Sequence, residues 1–227
     1  MSSIEYMLAR EIISNMVKPL SYSDTGESAL LAMHELNVNQ MPVTDGKKYI
    51  GILSLEEVAL AKHLDEALSQ VHTSLKRPYV HESSHLFDVM KAGLEYNVRV
   101  VPVLSDENDN YLGVISAESC LKAFSELNSI SDEGGIVELA VPMKDFSMAE
   151  IARIIESNDV RVLACYTNID PKTNRVNVTV KTNSNELAAV ISAFERFGYE
   201  IQGFYHEQEY TEDLKENYDA LVRFMNV

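Results

Sequence analysis

The chain has no tryptophan, two cysteines, six prolines and nine glycines in 227 residues. Cys120 and Cys165 lie far apart, which excludes a disulfide framework and a CxxC metal or redox motif. Positive charge is also scarce. There are 19 Lys+Arg against 35 Asp+Glu, for a net charge of −16. Residues 1–132 hold 10 basic and 19 acidic side chains and the remainder 9 and 16, so neither half is a concealed basic module. Such a surface repels phosphate backbones and anionic lipid, and no nucleic-acid or membrane partner is expected. One small anion in a local basic pocket stays open. The densest acidic stretch, residues 207–219, opposes six acids with Lys215 alone and reads as a solvated helix face or tail.

Long apolar runs are missing as well. None approaches the roughly 18 residues of a membrane span. The opening residues mix Glu5, Arg10 and Glu11 with apolar side chains, unlike a signal peptide, so the expected compartment is the cytoplasm. There is no G-x-S-x-G, no P-loop, no Rossmann G-x-G-x-x-G and no HExxH, and the six histidines are scattered. His81 and His85 have the i, i+4 spacing of a metal pair, but no third ligand accompanies them, and turn and cap roles suit them better. No enzyme, no required cofactor and no metal site is expected.

What the chain does have is an internal repeat. Asn37-Val38-Asn39-Gln40-Met41-Pro42-Val43 returns as Asn97-Val98-Arg99-Val100-Val101-Pro102-Val103, 60 residues later. A polar turn follows each, then Tyr49-Ile50-Gly51-Ile52-Leu53-Ser54 and Tyr111-Leu112-Gly113-Val114-Ile115-Ser116. Upstream, Lys18-Pro19-Leu20 answers Arg77-Pro78-Tyr79 at an offset of 59. Apolar residues at helical spacing precede each Pro-Val step: Ala29, Leu30, Met33 and Leu36 in one copy, Leu86, Val89, Met90 and Leu94 in the other. Each unit is expected to run strand, helix, strand, strand, helix. One unit has too few layers to bury both faces of its sheet, so the two should pack together.

After Gly134-Gly135, which reads as a flexible joint, the pattern changes. A strand at 136–141, a helix capped by Ser147, strands through Val160–Tyr166 and Val176–Val180, a helix through Leu187, Val190, Ile191 and Phe194, and a strand at 199–205 give βαββαβ. The expected fold class is α/β (α+β): a tandem pair of β-α-β-β-α repeats followed by a ferredoxin-like βαββαβ domain. The expected segments are an N-terminal helix over 1–14, repeats over 15–70 and 71–130, the ferredoxin-like domain over 136–206 and an acidic helix over 207–227.

The repeated run, an apolar helix, Pro-Val, a polar turn and Gly-hydrophobic-x-Ser, resembles the CBS domain, with copies over roughly residues 15–125. The third unit is similar to an ACT domain, and the order resembles the acetoin-utilisation protein family. The resemblance implies a regulatory, non-catalytic protein, commonly a homodimer. Its pseudo-twofold pair would hold AMP, ADP or ATP in clefts between the repeats and signal to a protein partner, here unknown. The family motif is Gly-hydrophobic-x-Ser/Thr-x-x-Asp/Asn, in which the hydroxyl meets phosphate or ribose and the carboxylate holds the ribose diol. It carries over to Gly51, Ser54 and Glu57 in the first repeat, with Glu for Asp. In the second it carries over to Gly113, Ser116 and Ser119, where the carboxylate is missing.

The segments entering each repeat, Lys18, Pro19 and Leu20 or Arg77, Pro78 and Tyr79, would embrace the base. In the runs Gln40, Met41, Pro42 and Arg99, Val101, Pro102 the resemblance implies a phosphate-facing side chain ahead of the proline, which is Arg99 in the second repeat and neutral Gln40 in the first. Physical chemistry suits the motif: glycine admits close approach, and Ser54 opens a helix whose N–H groups favour phosphate. Ser54 and Glu57 equally have the S-x-x-E spacing of a capping box, which would occupy both. Phosphate attraction looks better in the second repeat, through Lys76, Arg77 and Arg99, and the ribose acid better in the first. Two alternatives remain open: a ligand-free interaction module with degenerate clefts, or an amino-acid sensor using Asp145 of the ACT-like unit.

Overall fold

A computed structural model describes residues 7–14, 17–71, 74–127 and 129–205. The chain divides into two compact units, Met1–Leu127 and Asn128–Val227.

In the first unit, β1 (Leu20–Ser21), α1 (Gly26–Glu35), β2 (Gln40–Asp45), β3 (Lys48–Ser54) and α2 (Leu55–Ala59) make one repeat. A short helix, α3 (Leu68–Val71), leads on to β4 (Val80–His81), α4 (Leu86–Tyr96), β5 (Val100–Leu104), β6 (Tyr111–Ser116) and α5 (Ala117–Leu127). Each repeat has a three-stranded sheet, ordered β1-β2-β3 or β4-β5-β6, with the first pair parallel and the second antiparallel. The registers match at an offset of 60: Leu20 faces Val43, and Val80 faces Val103. Tyr79 is therefore one residue out of step with Leu20, and the equivalence suggested by the two prolines slips by one.

The helices end alike. Asn37 and Asn97 take the left-handed conformation, φ 51° and 52°, and the next N–H reaches back to Met33 or Gly93 at 2.9 Å. This is the Schellman stop, in which asparagine tolerates what other side chains resist.

Neither repeat closes its own core. Ala9, in a 3-10 turn at Ala9–Glu11, is fully buried among Leu86, Val89, Val103 and Ile115 of the second repeat. Its N–H donates to Ser84 O at 2.8 Å. Leu68 of α3 is buried among Leu20, Ala29, Met33 and Leu53 of the first, and its N–H donates to Asp24 O at 2.8 Å. The segment leading into each repeat thus completes the other. Residues 9–11 form that docked turn where a continuous helix over 1–14 was expected. The first six residues of that expected helix, and the helix expected over 207–227, lie outside the described residues. A shared layer of Ile52, Val100 and Val114, with Val17, Val98 and Tyr111 against it, joins the two sheets.

The second unit runs β7 (Ile136–Pro142), α6 (Met148–Glu156), β8 (Val162–Asp170), β9 (Arg175–Thr182), α7 (Ala188–Arg196) and β10 (Glu200–Tyr205). Its antiparallel sheet is ordered β10-β7-β9-β8, the ferredoxin-like arrangement. Alternate residues of the central strands, Val137, Leu139 and Val141 with Val176, Val178 and Val180, pack on Ile151, Ile154, Ile155, Val190 and Phe194 of the helices.

The glycine pair before β7 is no loose joint. Gly135 N–H donates to Ser184 O at 2.8 Å, and Gly135 O accepts from Thr182 N–H and Oγ1 at 2.9 and 3.1 Å. A β-carbon on Gly134 would stand 1.8 Å from Thr182 O. Glycine is there for close packing. Among the described residues no helix is long and apolar enough to cross a membrane.

Two glycines give opposite expectations. A β-carbon on Gly51 would lie 2.5 Å from Leu75 Cβ and 2.7 Å from Lys76 O, so Gly51→Ala should destabilise by about 1–3 kcal/mol. Gly93, inside α4, has its nearest neighbour at 3.5 Å, so Gly93→Ala should stabilise by about 0.5–1 kcal/mol. Urea unfolding of both variants measures the signs.

Candidate functional site

The crossing of lead-in segments decides which residues meet. Ile52 N–H donates to Lys76 O at 2.9 Å, and Ser14 N–H donates to Val114 O at 2.7 Å. The segment leading into the second repeat therefore lies on the motif strand of the first, and the reverse also holds. A cleft of about 120 Å³ results, lined by Gln40, Ile52, Ser54 and Glu57 of one repeat and by Lys76, Pro78, Tyr96, Asn97 and Val98 of the other. The sequence pairing that put Lys76 with the second motif and Lys18 with the first is corrected by this exchange. The hydroxyl, the carboxylate and a lysine come together beside Ser54.

Each group has a present occupation. Ser54 caps α2 in a full capping box: Glu57 N–H donates to Ser54 Oγ at 3.2 Å, while Glu57 Oε2 accepts from Ser54 N–H at 2.8 Å and from Ser54 Oγ at 2.7 Å. Leu55 N–H donates to Asn39 O at 2.9 Å. A five-residue helix with these donors used is a poorer phosphate seat than the sequence implied. Gly51 is explained by the chain crossing over it rather than by a ligand.

Gln40 is a strap between repeats, donating from Nε2 to Asn97 O at 3.3 Å and accepting Arg99 N–H on Oε1 at 3.0 Å. Arg77 Nη2 donates to Tyr49 O at 3.1 Å, and its guanidinium lies 5.7 Å from the ring centre. Tyr49 donates its buried hydroxyl to Pro78 O at 3.0 Å and stacks on Tyr111, centroids 6.2 Å apart. Burial pushes both phenols above the ordinary tyrosine range, with Arg77 partly offsetting this at Tyr49.

The other candidates divide. Leu20, Met41 and Val101 are core side chains, and Pro42 and Pro102 are buried in β2 and β5. Lys18 and Pro19 are exposed, and Tyr79 sets its ring edge-on against His81. Arg99 lines a groove of about 1030 Å³ with Leu30, His34 and Leu55. In the second motif Gly113 has φ 154°, and Ser116 and Ser119 hydrogen-bond each other at 3.0 Å, a cap without a carboxylate. Tyr96, Asn97 and Val98 of the first cleft escaped sequence reasoning, because only the crossing brings the end of α4 there.

His85 caps α4 by accepting Phe87 N–H, and His81 stands 3.9 Å from Asp106 and from Asp109. Among the described residues no group of three His, Cys, Asp or Glu side chains is placed to hold a metal. Burial raises the pKa of both cysteine thiols, which disfavours the reactive thiolate.

In the second unit Asp145, Glu150, Arg175, Phe197, Tyr199 and Glu200 border a pocket of about 430 Å³. Arg175 bonds Ala140 O and Glu200, and Tyr199 donates to Glu150 at 3.1 Å. Burial first, then that bond, pushes the Tyr199 pKa up to about 12.

The CBS domain family model matches residues 9–63 and 69–126. Those residues form a pair of CBS domains. Similar solved structures include a CBS domain pair/ACT domain protein from Thermotoga maritima, 24% identical with a TM-score of 0.47, covering 53% of this chain and 98% of that one. The CBS domains of a transcriptional regulator from Streptococcus pneumoniae are 16% identical, TM-score 0.45, covering 51% and 98%. The CBS domain of a bacterial CNNM/CorC family magnesium transporter, in complex with ATP, is 16% identical, TM-score 0.43, covering 52% and 87%. These likenesses concern the fold.

The Tyr49 hydroxyl ties the first CBS repeat to the lead-in of the second. Tyr49→Phe leaves the Pro78 carbonyl without that donor and should cost about 1–2 kcal/mol in urea unfolding.

Proposed function

We propose that the chain is a non-catalytic, cytoplasmic regulatory protein whose CBS pair binds an adenine nucleotide beside Ser54 and answers by a change in shape or partner contact. The observation that carries this reading is the meeting of Ser54, Glu57 and Lys76 in one cleft walled by both repeats. A hydroxyl, a carboxylate and an ammonium are the groups that a ribose diol and a phosphate require. A ligand there touches both halves, so it favours whichever arrangement of the repeats it fits better. Isothermal titration against AMP, ADP, ATP and S-adenosylmethionine is the test. Saturable heat with an adenine nucleotide is expected, and silence from all four up to millimolar concentration rejects the reading. Glu57→Ala should weaken the nucleotide that binds by at least about tenfold.

Two other readings have their own observation. The capping box that holds Glu57, and the small cleft, favour a ligand-free interaction module. A nucleotide retained from the cell in native mass spectrometry would exclude it. The second-unit pocket, bordered by Arg175 and by Asp145 and Glu150, has both charge signs that an amino-acid zwitterion needs. Thermal stabilisation by amino acids and not by nucleotides would favour that reading.

The same proposal includes a homodimer formed through the helices of the CBS pair. Leu94 of α4 is 83% exposed and Leu121 of α5 is 67% exposed, although each lies on a helix whose other face is core. Unpartnered side chains of this size favour an interface. Leu94→Glu with Leu121→Glu should turn a dimer into a monomer in light scattering after size exclusion, with the fold retained by circular dichroism.

A further inference from the structure

The cleft beside Ser54 has one acid and one cation in its lining, Glu57 and Lys76. Glu57 lines it, and Glu56 is exposed beside it in the first turn of α2. Lys76 is the one cationic side chain among the described residues that line it. Arg77 is committed to the Tyr49 carbonyl and ring, and Arg99 lines the adjoining groove beside α1, which shares Gln40 with this cleft. The first and third N–H groups of α2 are already donated, to Asn39 O and Ser54 Oγ. A phosphate chain longer than one group would find no second cation here, and each added phosphate would meet the fields of Glu56 and Glu57. The opposite wall has a different resource. Tyr96, at the end of α4 and half-exposed, lines it together with Pro78 and Val98, a surface suited to one planar ring.

We infer that this cleft selects nucleosides and nucleoside monophosphates over di- and triphosphates, with Tyr96 as the wall for the base and Lys76 as the single phosphate contact. The inference rests on the adenine-nucleotide reading given above and narrows it. Lys76 and Tyr96 are both exposed and outside the buried core, so their variants should fold.

The test is isothermal titration of the full chain with adenosine, AMP, ADP and ATP at low and high salt. AMP should bind at least about tenfold more tightly than ATP, and the gap should shrink as salt screens the acids. Lys76→Ala should bring AMP to the affinity of adenosine and leave adenosine unchanged. Tyr96→Leu should weaken adenosine and AMP alike, by about tenfold. ATP binding as tightly as AMP, or Lys76→Ala leaving AMP unchanged, overturns the inference while the nucleotide reading stands. Tyr96→Leu leaving both ligands unchanged overturns the role of that ring. Binding of none of the four overturns both readings together.

Discussion

Each CBS repeat is too thin to close its own core, and the exchange of lead-in segments follows from that shortage. A three-stranded sheet with helices on one face leaves an apolar surface that only the other repeat can cover. Ala9 fills the second core and Leu68 the first, and backbone bonds from Ile52 to Lys76 and from Ser14 to Val114 pin the crossing. The glycine at Gly51 is needed because the chain passes directly over it. The Tyr49–Tyr111 stack and the Tyr49 to Pro78 bond sit on the same seam.

That seam also makes the site. A cleft bounded by one repeat alone would have Ser54 and Glu57 without a cation. The crossing supplies Lys76, Pro78 and the end of α4. It also takes Arg77 away, because the lead-in segment that brings this residue in turns its guanidinium onto Tyr49. The two motifs of the pair are unequal for a local reason: Glu57 gives the first a carboxylate, and Ser119 gives the second another hydroxyl. In a protein of net charge −16, one well-placed lysine is a considerable part of what can hold an anion.

Much of the fold was legible from residue patterns. The 60-residue offset, the helical spacing of Ala29 and Met33, and the alternation of Val176, Val178 and Val180 all report local geometry, which a sequence carries directly. The ferredoxin-like order followed in the same way. Several readings were redrawn because they depend on contacts between residues distant in sequence. The glycine pair at 134–135 read as a joint because composition cannot distinguish a free glycine from one pressed against Thr182. Residues 9–11 form a docked turn because their partner, the second repeat, lies about 75 residues further on. Leu20, Met41 and Val101 were candidates for the cleft because they neighbour motif residues in sequence, yet strand alternation and burial turn them into the cores.

By itself the sequence determined the repeat, the element order, the acidic character and the Ser54–Glu57 spacing, since each depends on neighbours a few residues apart. The tertiary structure decided which lead-in meets which motif, and so that Lys76 and Tyr96 stand beside Ser54 while Arg77 and Gln40 serve as braces. The reason is physical. Two near-equal repeats pair equally well on paper with either lead-in, and the burial of Ala9 and Leu68 in opposite cores, with the backbone bonds across the seam, chooses the crossed arrangement.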